Sequence, residues 1–198
     1  MEIDINKLDG FEFIHGVGDV DEKQLCLLSA TAYLAGEPHG DHPVCACPVL
    51  TELGIKINDG PWWADNAERG VWVLATAPRL IGTRSSKAVE RQRADILVRA
   101  ALTEFVPDAL DHAARALELA GLQEHANTLR DHATKLRTAA DAAYAAAAYA
   151  AAAAAYAAAR AADAADAKTS IRDRLIALMD ECLAITEPQP VVAEGHVS

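Results

Sequence analysis

The residues best suited to chemistry lie in, and just before, one proline-bounded loop. Four of them offer the nitrogen and sulfur ligands that zinc binds in a tetrahedron. They are Cys26, His42, Cys45 and Cys47. Their spacing, C-x15-H-x2-C-x-C, is not that of a standard finger, and paired C-x2-C knuckles are absent. If two helices bring Cys26 beside the loop, the pattern predicts a structural zinc site.

The same loop also suits a cysteine nucleophile. Cys47 directly precedes Pro48, a residue that favours the first position of a helix, and the partial positive charge there lowers the pKa of a thiol. His42 or His39 could serve as the base, with Asp41 orienting it. A third interpretation needs no chemistry, because small thiols are often buried in tight loops. The residues leave these three interpretations open.

Five predicted helices position this loop. Asp21 is a good N-cap with Gln24 in a capping-box relation, and Gly36 can end the first helix in a left-handed cap. The predicted helices run from Asp21 to Gly36, from Pro48 to Asn58–Gly60, from Pro61 to a kink or end at Pro78, from Ser85 or Ser86 onward, and from Pro107 to Gly121.

Apolar residues at helical spacing predict the buried faces of these helices. In the third helix they are Trp63, Ala67, Val71 and Leu74. In the fourth they are Val89, Ile96, Leu97, Ala100 and Phe105, and in the fifth Leu110, Ala113, Ala114 and Leu117. An exposed, ion-paired face of the fourth helix is expected to carry Arg84, Lys87, Arg91 and Arg93.

A heptad seam follows in the alanine-rich part of the chain. From Leu122 to Glu187 there is neither glycine nor proline, and 22 of the 29 residues from Ala139 to Ala167 are alanine. Steps of four and three residues define the seam: Leu122, Ala126, Leu129, Ala133, Leu136, Ala140, Ala143, Ala147, Ala150, Ala154, Ala157, Ala161, Ala164, Lys168, Ile171, Leu175, Leu178, Cys182 and Ile185. The tyrosine, aspartate and arginine residues of the alanine run all lie off it, which indicates a helix-pairing surface. Compositional drift remains the alternative.

Lys168 places a charge on the seam, and Thr169 and Ser170 after it are good N-caps. These residues predict a bend or short turn at 167–170. The more apolar stretch 171–186 is then expected to return onto the earlier helices.

Charge and composition exclude several classes of protein. The net charge is −11, which disfavours a nucleic-acid binder. No strongly apolar run suits a membrane span, and no positively charged leader precedes one at Met1. Four unevenly spread cysteines in a chain of 198 residues do not form a disulfide framework. A cytoplasmic, reducing location is therefore expected.

The stretch CLLSATAYLAGEPHGDHPVCACPVL, from Cys26 to Leu50, resembles a group of hypothetical proteins from actinobacteria and their phages, with a GEPxxDHPxCxCP-type motif. Ile57–Asp59 and the stretch RLIGTR from Arg79 to Arg84 fit the same pattern. The likeness covers about residues 1–105. It implies an actinobacterial or phage source and a helical fold, and it transfers no catalytic residue because the group has no assigned activity.

Together these patterns predict an all-α protein. Residues 1–121 are expected to form a helical domain with an N-terminal arm, residues 122–187 a long alanine-rich helix or hairpin, and residues 188–198 a disordered tail. The favoured function is a non-enzymatic interaction or assembly protein, forming a homo-oligomer or binding a partner protein. The alternative is a small enzyme using Cys47 with His42, or a protein with structural zinc.

Overall fold

The computed structural model describes residues 3–138 and 165–187, and the predicted all-α class is confirmed. The helices are α1 (Leu27–Ala35), α2 (Pro48–Asn58), α3 (Asn66–Leu80), α4 (Lys87–Ala100), α5 (Val106–Leu119), α6 (Gln123–Thr138) and α7 (Ala165–Leu183). A 3-10 turn spans Ile5–Leu8, and a π-helical turn, Ala101–Phe105, joins α4 to α5. The predictions for the middle of the seam and for the tail at 188–198 lie outside the described residues.

The first helix begins later than Asp21, and that prediction is wrong. The residues before it form strand β2 (Gln24–Leu25), which pairs in parallel with β1 (Glu12–Phe13). Backbone pairing of Gln24–Leu25 overrides the helix-start signal, so the N-cap falls on Cys26. The predicted left-handed cap at Gly36 is confirmed, with φ of 74°.

The third helix also differs from its prediction. It starts at Asn66, with Asp65 as N-cap, and it continues through Pro78 to Leu80. The indole N–H groups of Trp62 and Trp63 both donate to the Ile57 carbonyl at 2.9 Å, which holds the tryptophans ahead of α3. The predicted buried face is wrong for α3 itself, since the core receives residues from the opposite side of the helix.

The core is shared by α1, α2, α3 and α7. Its most buried aliphatic members include Leu27, Leu28, Leu50, Ile57, Val73, Leu80, Leu175, Leu178 and Met179. The predicted return of residues 171–186 onto earlier helices is therefore confirmed. The turn predicted at 167–170 is wrong, because α7 runs without interruption from Ala165 to Leu183. The sequence pattern divides the chain at Gly121, but α7, which follows that position, packs in the same core as α1, α2 and α3.

A buried polar network fixes the beginning of α1 against α2 and α3. The Asn58 side chain accepts a hydrogen bond from the Leu27 N–H at 3.1 Å and donates to the Ile14 carbonyl at 3.0 Å. The Arg69 guanidinium donates to the Asn58 carbonyl at 3.1 Å. Because these groups are bonded to one another, their burial leaves few donors and acceptors unpaired.

Helices α5 and α6 form an antiparallel hairpin around alanines. Ala114 on α5 and Ala126 and Ala133 on α6 are fully buried. Leu110 and Leu117 are half-buried, whereas Ala113, which was predicted to be buried, is exposed. Gly121 turns the chain in the left-handed region, with φ of 77°. Ion pairs of Glu118 with Arg130 and of Asp108 and Asp111 with Arg137 line the hairpin. The first part of the seam thus packs on α5.

In residues 3–138 and 165–187, no helix is long and apolar enough to cross a membrane.

Candidate functional site

The loop between α1 and α2 is closed by the carboxylate of Glu37. This carboxylate accepts hydrogen bonds from the backbone N–H groups of Val44 at 2.5 Å and Cys45 at 2.8 Å. On the other side of the loop, the His39 ring lies 3.1 Å from the Gly18 carbonyl oxygen. These contacts fix the backbone on which the candidate cysteines lie.

The loop is also joined to the segment between α3 and α4. Thr83 accepts a hydrogen bond from the Cys47 N–H at 3.0 Å, and the Arg84 N–H donates to the Cys45 carbonyl at 3.1 Å. The Thr83 hydroxyl in turn donates to the Leu80 carbonyl at 2.7 Å. Two of the sequence stretches that carry the resemblance, the loop and Arg79–Arg84, therefore pack together as one unit.

Cys26 has a structural role as the N-cap of α1. Its sulfur accepts a hydrogen bond from the Ser29 N–H at 3.3 Å, and the Ser29 hydroxyl accepts one from the Cys26 N–H at 2.7 Å. Burial raises the pKa of the Cys26 thiol, so the protonated form dominates at neutral pH. This reciprocal cap occupies the sulfur that the zinc interpretation required.

Cys47 stands at the N-terminus of α2, as predicted, but its side chain is completely buried. Cys45 is only half-buried, and burial together with the nearby Glu37 carboxylate raises the pKa of its thiol. Cys182, from α7, is also inaccessible, and burial raises the pKa of its thiol to about 12. Thiolates are the reactive and metal-binding form of cysteine, so these raised pKa values favour inert, packed thiols.

His42 lies on the surface, with 64% of its side chain exposed. Its Nδ1–H donates to the Asp41 carboxylate at 2.7 Å, and its Nε2 is 3.5 Å from the Glu52 carboxylate. The hydrogen bond to Asp41 is the main cause of a raised His42 pKa. Asp41 thus orients His42 as predicted. The other ring nitrogen faces the Glu52 carboxylate, while Cys47 is buried in the core.

The four predicted zinc ligands do not form one cluster. Within the described ranges 3–138 and 165–187, no three His, Cys, Asp or Glu side chains are arranged to hold a metal ion. The reason is geometric: Cys26 and Cys47 are buried in the core, whereas His42 is exposed. The expected helix–loop–helix does form. Its side chains Cys26, His42, Cys45 and Cys47 nevertheless do not converge on one point.

Sequence reasoning missed a cleft of about 520 Å³ between α4, the π-helical turn and α7. Its apolar lining includes Ile96 and Leu178, and Arg174 also lines it. Arg174 binds both oxygens of Glu104, at 2.6 and 2.8 Å, and one oxygen of Glu181 at 2.6 Å. The arrangement offers a binding surface with paired charges. No sequence motif marks it, because its residues come from segments about 70 positions apart.

Comparison of the chain with protein-family models, with curated proteins and with solved structures finds no match. The likeness to actinobacterial and phage proteins therefore stays an expectation from the sequence.

Proposed function

We propose that this protein is a non-enzymatic interaction protein that self-associates through the heptad seam. One observation carries the proposal: the seam is a packing surface on both sides of residues 139–164. Ala126 and Ala133 are buried on the α5 side, and Leu175, Leu178 and Cys182 are buried in the core. Seam residues are thus buried both before and after the alanine-rich middle. This supports a helix-packing role for the seam residues of that middle as well.

The described part of α6 packs along α5 and reaches the π-helical turn before it. Arg137, near the end of α6, pairs with Asp108 at 2.9 Å and Asp111 at 2.7 Å, in the first two turns of α5. The last described turn of α6 therefore lies beside the first two turns of α5. A second copy would supply a matching alanine surface, and methyl side chains allow close approach of two helices.

The state of the thiols supports a non-enzymatic protein over the alternative of a cysteine enzyme or zinc protein. Cys47 is fully buried, and burial raises the pKa values of Cys26, Cys45 and Cys182. An activated nucleophile is expected to be partly exposed and to have a lowered pKa.

The test is sedimentation of the full chain, whose monomer mass is 21.0 kDa, across a wide concentration range. We expect a species larger than the monomer. The variant Ala147→Glu/Ala154→Glu places two charges on the seam, and we expect it to form smaller species than the wild type. The matched variant Ala145→Glu/Ala152→Glu adds the same charges off the seam, and it should behave like the wild type. A monomer at every concentration, or equal behaviour of the two variants, overturns the proposal.

A further inference from the structure

The solvent face of α3 is apolar along the helix. Val71 is 73% exposed and Leu74 37% exposed, although both are large aliphatic residues. Ala67 and Ala75 beside them are exposed as well, and Pro78 is half-buried. At 100° per residue these five side chains fall within one arc of about 100°. We call this arc, formed by Ala67, Val71, Leu74, Ala75 and Pro78, the α3 face.

The opposite side of α3 is already used by the core, through Val73, Ala77 and Leu80. Helix α3 is thus apolar on two opposite sides, and only one of them is covered by the described residues. A surface helix normally places polar and charged residues on its outer side. A contiguous apolar outer side is instead typical of an interaction surface.

We propose that the α3 face is a contact between two copies of this chain, with their α3 helices antiparallel about a two-fold axis. The spacing along the helix fits that symmetry. Antiparallel pairing centred between Trp72 and Val73 sets Val71 opposite Leu74 of the second copy and Ala67 opposite its Pro78. The exposed apolar residues therefore pair with one another, as a self-complementary two-fold interface requires.

The flanking charges select the antiparallel direction. Glu68 and Arg79 lie on the same flank of the α3 face, near opposite ends of the helix. In an antiparallel pair, Glu68 of one copy lies across from Arg79 of the other, so opposite charges meet. In a parallel pair, the two-fold axis would put these residues of the two copies on opposite flanks, so neither Glu68 nor Arg79 would meet an opposite charge. Within one chain Glu68 already pairs with Arg172, and Arg79 pairs with Asp180 at 2.8 Å, so the contact joins two existing ion pairs into a network.

This inference rests on the proposed function only in taking a second copy as the partner, since the α3 face and the heptad seam share no residue. Two separate self-contacts on one chain build assemblies larger than a dimer. The full chain is therefore expected to form at least tetramers at high concentration.

The first test is sedimentation of the full-length variant Val71→Glu/Leu74→Glu. We expect the α3 contact to weaken at least tenfold, so that the largest species falls to the dimer held by the seam. The matched control is Val44→Glu, because Val44 is also an exposed aliphatic residue, at 70%, but lies alone in the loop. It should assemble like the wild type. If the double variant also assembles like the wild type, the inference is overturned. The proposed function still stands in that case if assembly depends on the seam.

The second test reports the contact itself and its direction. Single variants Val71→Cys and Leu74→Cys are prepared in a Cys45→Ser background, since the other three native cysteines are buried. On mild oxidation, a mixture of the two should form cross-linked dimers several-fold faster than either variant alone. If each single variant alone cross-links faster than the mixture, the contact is parallel. If nothing cross-links, the α3 face has another occupant. Either result overturns the inference. The same experiment in the Ala147→Glu/Ala154→Glu background separates the two proposals. A mixed cross-link that persists there supports the α3 contact even if the seam does not mediate self-association.

Discussion

Arg93 on α4 donates a hydrogen bond from Nε to the backbone carbonyl of Cys182 on α7, at 3.0 Å, across 89 positions of sequence. The same guanidinium donates to the carbonyls of Thr83 and Ile185, each at 2.7 Å. Cys182 lies in the last turn of α7, where carbonyl groups lack the usual i+4 helical donor and a cation is favoured. Its carbonyl also accepts a hydrogen bond from the Ile185 N–H at 3.3 Å. The sequence pattern predicts Arg93 on the exposed face of its helix, and that prediction is wrong. Arg93 is instead 3% exposed and joins α4, α7 and the 81–86 segment.

Replacing Arg93 with methionine should therefore destabilise the protein by about 3 kcal/mol, because the Thr83 and Ile185 carbonyls lose the guanidinium donor and the Cys182 carbonyl keeps only the Ile185 N–H. The matched variant is Arg91→Met, on the exposed side of the same helix, with an expected change within about 0.5 kcal/mol. Urea unfolding followed by circular dichroism measures both. Equal midpoints would show that the Arg93 contacts contribute nothing to stability.

Helix α7 should behave as part of the core. Leu178 is 1% exposed, so Leu178→Ala should lower the free energy of unfolding by about 3 kcal/mol through loss of burial and a residual cavity. Leu119→Ala makes the same deletion at a side chain that is 91% exposed, and about 0.5 kcal/mol or less is expected. Thermal or urea unfolding of the full chain compares them. A small effect at Leu178 would contradict the placement of α7.

The native thiols should be slow to react with an alkylating reagent. We expect Cys45 to be modified first, because it is the one cysteine of the four that is not fully buried. Its rate should rise with pH and reach half its maximum above the ordinary thiol pKa, since burial and Glu37 raise its pKa. Cys26, Cys47 and Cys182 should react only on unfolding. Mass spectrometry of timed samples assigns each site, and rapid labelling of Cys47 at neutral pH would revive the cysteine-enzyme alternative.

His42 should titrate above the ordinary histidine pKa, because Asp41 and, to a smaller extent, Glu52 favour its charged form. We expect Asp41→Asn to lower the His42 pKa more than Glu52→Gln does. A raised folded-state pKa means that the ion pair stabilises the protein fully below the unfolded pKa of about 6.5, and that this contribution is lost as the pH rises through the folded pKa. NMR titration of the His42 ring measures the shift. An unchanged pKa in Asp41→Asn would contradict the orientation of the ring.

Local signals along the chain predict several elements correctly. Pro48 begins α2, Ser86 caps α4, and Gly36 and Gly121 end α1 and α5 as predicted. These features depend on the backbone geometry of one or two residues, so nearby residues suffice to specify them. The all-α class follows from the same signals repeated along the chain.

Which side of a helix is buried was decided by tertiary packing. Helix α3 carries apolar residues on two sides, and periodicity alone identified the side with Val71 and Leu74, which is exposed. The core receives Val73, Ala77 and Leu80 instead. When both sides of a helix are apolar, the hydrophobic effect does not distinguish them, and the positions of neighbouring helices do.

The candidate site shows the same division. Residue types and spacing identified the loop of His42, Cys45 and Cys47 and its position between two helices. Only the tertiary structure decided that Glu37 closes this loop, that Cys26 caps α1 and that His42 lies in solvent while Cys47 is buried. Side-chain direction and burial depend on contacts between segments distant in sequence, and those contacts leave no local signal by which the chemistry of a cluster could be predicted.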